Sequence, residues 1–151
     1  EIASRALSPA VNDPGTAIDI LGRHLRILAL WHERAEAEVA FPALWVPPLR
    51  LSDLMTDAFA AIARDGAGLI EVQIRLQKTL AGLVAQAPWV FGPDAQRLSD
   101  RALRLAEAAL VLEEDRDALR LLAAEVAAAA TGAAAGPVFG ATTGAAAPRS
   151  A

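Results

Sequence analysis

A short segment near the start of the chain, residues 7–17, constrains the fold more than any other part of the sequence. It places two prolines, a glycine, a serine, an asparagine and an aspartate between two apolar stretches. Ser8-Pro9 predicts the end of a first helix, because a proline disfavours the α region for the residue before it. Asp13 is expected to cap a second helix, with Pro14 at its first position, where no backbone N–H is needed. The segment therefore specifies one turn between two helices.

Apolar residues at helical spacing predict most of the remaining structure. The second helix is expected to run to about Ala37, and Asp19 is expected to pair with Arg23 one turn further on. A third helix is expected to start at a Ser52 cap, and a fourth to span roughly Leu69 to Gln86. The predicted inward positions of the second helix are Ile18, Leu21, Leu25, Leu28 and Ala35, with His32 on the same face. Those of the third helix are Leu54, Met55, Ala58, Phe59 and Ile62. Those of the fourth helix are Val72, Leu76, Leu80 and Leu83.

Two further helices follow an aromatic loop predicted over residues 88–93. The fifth is expected to open at Pro93, and the sixth to end at about Ala130. Their predicted inward positions are Leu98, Ala102, Leu105, Ala109 and Leu112, and then Leu119, Leu122 and Val126. The acidic run Glu113–Asp117 fits either an exposed continuation of the fifth helix or a break.

The segment from Val39 to Leu51 differs from the rest because it contains three prolines, which forbid a helix and restrict any strand to an edge. We predict an extended segment whose Phe41, Leu44, Trp45 and Val46 lie on the core. From Thr131 onward the composition is almost entirely Ala, Gly, Thr and Pro, too poor in large apolar side chains to offset the entropy of ordering. The prediction is an all-α bundle of five to six helices over 1–130, with a disordered tail over 131–151.

Several function classes are disfavoured by composition and motifs. The absence of cysteine excludes disulfides and thiolate chemistry, and a net charge of −4 with scattered arginines argues against nucleic-acid binding. No nucleophile elbow, phosphate loop or dinucleotide fingerprint occurs, so neither an enzyme nor a cofactor is expected. His24 and His32 are about 12 Å apart along one helix, too far to share a metal, so each is expected to be a packed or half-exposed side chain. His32 with Glu36 lacks the second histidine of a zinc helix. The acidic run lacks the glycine of a calcium loop, so no metal site is predicted.

The turn is the candidate functional site, and two interpretations stand side by side. Its exposed backbone groups and Arg5 offer a contact for a ligand or partner chain. Alternatively, Asp13 caps a helix and Asn12 bonds its own backbone, which alone accounts for the residue choice and is favoured. The residues concerned are Arg5, Ser8, Pro9, Asn12, Asp13, Pro14 and Thr16.

The opening stretch, residues 1–17, which contains the block Ala6-Leu7-Ser8-Pro9-Ala10-Val11-Asn12-Asp13-Pro14-Gly15-Thr16-Ala17, resembles a family of bacterial predicted membrane proteins, the domain of unknown function 2254. The resemblance covers roughly Glu1 to Arg120. Similar positions further on are Pro48, Asp53, Leu54, Ala58, Phe59, Ile62 and Arg64, the last displaced by one, and then Asp115-Arg116. The resemblance implies a soluble C-terminal domain at the surface of the inner membrane, on an unspecified side, preceded by transmembrane helices. The helical character of residues 2–7 at the very start agrees with a longer protein. No activity and no catalytic residue are implied.

The leading functional expectation is assembly or partner contact, with a second copy of the chain or the protein's own transmembrane region as partner. No small-molecule partner is identifiable. The alternative is a ligand- or ion-responsive sensory module that regulates an attached transmembrane part. Trp89, Val90 and Phe91 either form an exposed contact patch or plug the end of the bundle. Arg97, Arg101 and Arg104 either face anionic lipid headgroups or form a solvated face.

Overall fold

The computed structural model describes residues 1–31, 41 and 43–132. Within these ranges the chain forms helices and no strand, which confirms the predicted all-α class. The helices are α1 (Ile2–Ala6), α2 (Pro14–Leu28), α3 (Leu51–Asp65), α4 (Ile70–Gln86), α5 (Pro88–Ala109) and α6 (Glu113–Gly132). Thr131 and Gly132 belong to α6, so this helix extends two residues beyond its predicted end at about Ala130. Residues 133–151 lie outside the described ranges.

Helix α4 is the centre of the bundle and packs against α2, α3, α5 and α6. The apolar stripe predicted for it is confirmed, because Val72, Leu76, Leu80 and Leu83 are all buried. Each turn of α4 thus contributes at least one branched apolar side chain to a continuous core. Such burial is the main stabilising term, worth about 1.5–3 kcal/mol for each fully buried side chain of this size.

Two glutamines on α4 supply buried polar contacts. Gln73 donates from Nε2 to the carbonyls of Ala63 (3.1 Å) and Gly66 (2.9 Å), and so caps the C-terminal end of α3. Gln77 and Ser99 bind each other reciprocally. The Ser99 hydroxyl donates to Gln77 Oε1 at 2.7 Å, and Gln77 Nε2 donates to the Ser99 carbonyl at 3.2 Å. This pair fixes the register of α4 against α5.

The helix α2 ends at Leu28, whereas the sequence predicted continuation to Ala37. The backbone tightens here, with N–H groups of Leu30 and Trp31 donating to the carbonyls of Ile27 and Leu28. Gln86 of α4 donates from Nε2 to the Ala29 carbonyl at 3.1 Å, and so satisfies a group at the end of α2. The remaining positions predicted for this helix, His32 to Ala37, lie outside the described residues.

The helix α5 begins at Pro88, five residues before the predicted start, and Pro93 lies inside it. The predicted aromatic loop is therefore wrong. Phe91 is 1% exposed and is in line with buried Ala95 and Leu98, so core burial extends the helix backwards. Pro93 removes one hydrogen bond near the helix N-terminus, which this packing offsets.

Smaller corrections concern helix boundaries in α3 and α5. The predicted Ser52 cap is wrong, because the N-cap position of α3 is Arg50, two residues earlier, and the helix begins at Leu51. Ser52 instead lies in the first turn, where its carbonyl accepts a bond from the Thr56 hydroxyl. Ala109 and Leu112 are exposed rather than inward. The backbone becomes extended at Leu110, which takes the buried place instead.

Candidate functional site

The turn between α1 and α2 is held by a compact set of backbone hydrogen bonds. The Ser8 hydroxyl donates to the Arg5 carbonyl at 2.8 Å. The Ser8 carbonyl in turn accepts from the N–H groups of Val11 (3.0 Å) and Asn12 (2.9 Å). Asp13 N–H reaches back to the Ala6 carbonyl at 2.8 Å, which closes the loop. Asn12 has a φ of 46°, a left-handed conformation that asparagine tolerates better than most residues.

Asp13 caps α2 as predicted, with Pro14 at the first helical position. Its carboxylate accepts two hydrogen bonds from Thr16, one from the backbone N–H at 3.0 Å and one from the hydroxyl at 2.6 Å. These bonds hold the pKa of the Asp13 carboxyl below its ordinary value, because they stabilise the charged form. The two bonds between Asp13 and Thr16 therefore fix the backbone at the start of α2.

Most of the polar groups in this turn bind each other. Ser8, Asp13 and Thr16 use their side chains for the local bonds just described. Arg5, Pro9 and Asn12 are exposed, and Ser8, Pro14 and Thr16 are half-buried. Such a closed local network favours the structural interpretation, and a ligand role for the seven residues stays a prediction.

An open groove of about 690 Å³ lies beside the turn, between α1, α2 and α3. Thr16 connects it to the turn, and His24 forms part of its wall. The remaining lining mixes apolar and charged residues: Glu1, Ile2, Ala3, Ser4, Asp19, Ile20, Arg23, Ile27, Asp57, Ala58, Ala61 and Ile62. The groove is thus amphipathic, with acidic and basic groups at its edges.

His24 is the most distinctive side chain of this groove. Its ring meets Phe59 edge-on, with centroids 5.7 Å apart and an interplanar angle of 85°. Burial lowers the pKa of His24 below its ordinary value by more than an interaction with the Ala58 backbone raises it, so the neutral ring predominates at pH 7. Its Nδ1 atom is buried with no hydrogen-bond partner within the described part of the chain. Unpaired buried nitrogens are rare in folded proteins and call for an explanation.

The proline-rich segment lies on the surface, and its predicted burial is wrong. Phe41 is 71% exposed and Trp45 is 80% exposed, and Leu44, Val46 and Leu49 are similarly exposed. Residues 44–50 form neither helix nor strand, in agreement with the proline content. Helices fill the core instead, because an extended segment without a partnering strand leaves its backbone groups unpaired if buried. We call Phe41, Leu44, Trp45, Val46 and Leu49 the apolar strip.

Two further sets of candidate contact residues lie on α5: the aromatic residues near its start and three arginines further along. Trp89 is exposed in the first turn of α5, whereas Phe91 is core, so the predicted patch is divided between surface and interior. Arg97 donates to Asp94 at 2.9 Å and to the Thr56 hydroxyl at 3.1 Å, so its charge is locally neutralised. Arg101 and Arg104 are exposed on the same helix.

The acidic run Glu113–Asp117 forms the first residues of α6 and makes ion pairs with arginines. Arg120 binds Glu107 (2.7 Å), Glu113 (2.6 Å) and Asp117 (2.8 Å), and Arg116 binds Glu113 at 3.0 Å. These bonds lower the pKa of the Glu113 carboxyl. The run is therefore a helix start rather than a continuation of α5. Across 1–31, 41 and 43–132, no three histidine or carboxylate side chains are placed to hold a metal ion.

The Asp13 cap of α2 is predictable from the sequence, whereas the groove and the exposure of the apolar strip are not. The groove residues come from three helices, and no local pattern marks Asp57 as a neighbour of His24. The one available signal was His24 itself, a histidine on a largely apolar helix. The sequence predicts His24 to be a packed or half-exposed side chain rather than a metal ligand, and it is half-buried. His32 lies outside the described residues.

Together these observations define a helical domain whose notable features are an amphipathic groove and an exposed apolar strip. Residues 1–82, more than half of the chain, match the model of a family described as a predicted membrane protein, DUF2254. The chain belongs to this family, which confirms the resemblance carried by its opening block. No curated protein and no solved structure matches it significantly. None of the helices in the described ranges combines the length and hydropathy that crossing a bilayer requires.

Proposed function

We propose that this domain serves assembly in a membrane protein, and that the apolar strip is its contact with a second copy of the chain. The observation that supports the proposal is the exposure of five large apolar side chains within nine residues. Large apolar side chains exposed this close together along the chain are typical of interaction sites. The proposal is non-enzymatic, and it places the full-length protein in the bacterial inner membrane with this domain at the membrane surface.

The size of the apolar strip agrees with a contact between proteins. A standard interface covers about 800 Å² on each partner. Phe41 and Trp45 alone offer roughly 300 Å² when covered, given that aromatic side chains bury about 150–250 Å² each. Aromatic residues are also the side chains most often found at the energetic centre of an interface. The strip therefore supplies the centre of a contact, and neighbouring polar residues supply its rim.

Sedimentation velocity over a range of concentrations tests this proposal. The wild-type chain is expected to self-associate, and the double variant Trp45→Ser, Leu49→Ser is expected to remain monomeric. Trp89→Ser with Leu121→Ser is the matched control, because these side chains are also exposed but lie on α5 and α6. Wild-type chain that is monomeric at every concentration contradicts self-association, and directs attention to the protein's own transmembrane region as the partner.

A second candidate, a sensory module, is favoured by the groove and by the unpaired Nδ1 of His24. A ligand that binds the folded state raises stability by RT ln(1 + [L]/Kd), about 2.7 kcal/mol at one hundred times Kd. A thermal-shift screen of small amphipathic compounds measures this effect. Ala61→Leu, which narrows the groove, is expected to weaken any shift, whereas Ala108→Leu on the exposed side of α5 is not. A screen without a shift argues against this candidate.

A further inference from the structure

Helices α2 and α4 lie side by side and bring three arginines to one place. A Cβ built at Gly22 would lie 3.0 Å from Nη2 of Arg75, so the Arg75 guanidinium crosses α2 at this glycine. Arg23 and Arg26 project from α2 next to it. Together with Ile18, Asp19 and Gly22, the three arginines line a pocket of about 320 Å³. We call this the arginine pocket.

The charges of the arginine pocket are not balanced. Asp19 is its only acidic lining residue against three guanidinium groups. The predicted Asp19–Arg23 pair is not formed, and within the described residues none of the three arginines has a carboxylate within ion-pair distance. Arg97, Arg116 and Arg120 elsewhere in the fold do form such pairs. Like charges that converge without counterions repel each other, and a bound anion removes that repulsion.

We propose that the arginine pocket binds a phosphate group. A guanidinium offers parallel N–H donors that match phosphate oxygens, and it stays charged at every physiological pH. Three of them approaching from two helices suit a group that accepts hydrogen bonds on several sides. The phosphate is either a free phosphate or the phosphodiester of an anionic lipid headgroup.

The first experiment uses inorganic phosphate as the probe on the full chain. Phosphate is expected to raise the melting temperature of the wild type above that in chloride at equal ionic strength. The double variant Arg26→Gln, Arg75→Gln is expected to lose this increment. Arg101→Gln with Arg104→Gln is the matched control, with the same change in net charge on exposed residues of α5. The control is expected to keep the increment.

The second experiment separates the two sources by cosedimentation with vesicles of phosphatidylcholine, with and without phosphatidylglycerol. If the source is lipid, the wild type and the control bind the anionic vesicles. The pocket variant then binds on the order of tenfold more weakly, given the contribution of each basic residue near an anionic surface. Phosphate stabilisation without vesicle binding assigns the site to free phosphate. Equal weakening of both variants, or no response to either probe, overturns the proposal.

Gly22→Ala provides a variant that keeps all three charges. The new methyl group would lie 3.0 Å from Nη2 of Arg75, so the guanidinium must shift by a few tenths of an ångström, while alanine favours the helix more than glycine does. The fold is expected to be retained, and the response to whichever probe binds is expected to be reduced, by less than in the double arginine variant. An unchanged response shows that the geometry of the pocket does not matter, which also overturns the proposal. Self-association is not required at any step, so this proposal and the assembly proposal fail separately.

Discussion

The reciprocal pair of Gln77 and Ser99 allows a sharp test of how the two central helices are held together. Both side chains are almost completely buried, at 1% and 0% exposure. Ser99→Ala removes the donor that lies 2.7 Å from Gln77 Oε1 and leaves that oxygen without access to water. An unsatisfied buried acceptor costs about 1–3 kcal/mol, whereas the loss of one hydroxyl leaves almost no cavity. We therefore expect Ser99→Ala to lower the free energy of unfolding by about 1–3 kcal/mol.

Urea unfolding followed by far-UV circular dichroism measures this change. Ser52→Ala, also inside a helix but only half-buried, is the control and is expected to change stability by less than about 0.5 kcal/mol. The double variant Gln77→Leu, Ser99→Ala replaces both partners with apolar groups and is expected to recover part of the loss. A Ser99→Ala chain as stable as the wild type refutes the reasoning, as does a double variant that is no more stable than Ser99→Ala.

Two further predictions concern α2 and α5. The depressed pKa of Asp13 in the folded state means that its stabilising contribution is complete above the unfolded value, about 3.9, and is lost as pH falls through the folded value. Asp13→Ala is thus expected to be less stable than the wild type at pH 7, and its free energy of unfolding is expected to fall less than that of the wild type between pH 5 and pH 3. Equal decreases for the two proteins in urea titrations contradict this prediction. Phe91→Ala is expected to cost about 3–5 kcal/mol by chemical denaturation, and Trp89→Ala less than about 0.5 kcal/mol. Similar costs for the two variants argue against a helix that starts at Pro88.

The fold was predictable from sequence where local pattern and core burial agree. In α4 the apolar spacing, the preceding glycines and the following proline all indicate one helix, and its boundaries were predicted within one residue. In α5 the local signal of Pro93 conflicted with the tertiary contacts of Phe91 and Gly92. A Cβ added at Gly92 would lie 3.5 Å from Ala130 on α6, a closeness that no local rule reveals.

The candidate sites likewise differ in whether local sequence or tertiary packing brings their residues together. Asp13 and Thr16 are three residues apart, so cap geometry follows from sequence alone. Arg26 and Arg75 are distant along the chain, and only the packing of α2 on α4 brings them together. The burial predicted for the apolar strip was wrong for another reason. Its sequence has no periodicity that distinguishes a buried face from an exposed one, so apolar composition alone suggested burial.

Asp19 and Arg23 line both the groove and the arginine pocket. A charged molecule in either cavity therefore alters the electrostatic potential that an occupant of the other experiences. By thermodynamic linkage, whatever factor one occupant applies to the affinity of the second is returned in equal measure. Two cavities that share part of one helix are thus expected to act as one coupled system when both are occupied, with a single aspartate and a single arginine as the shared element.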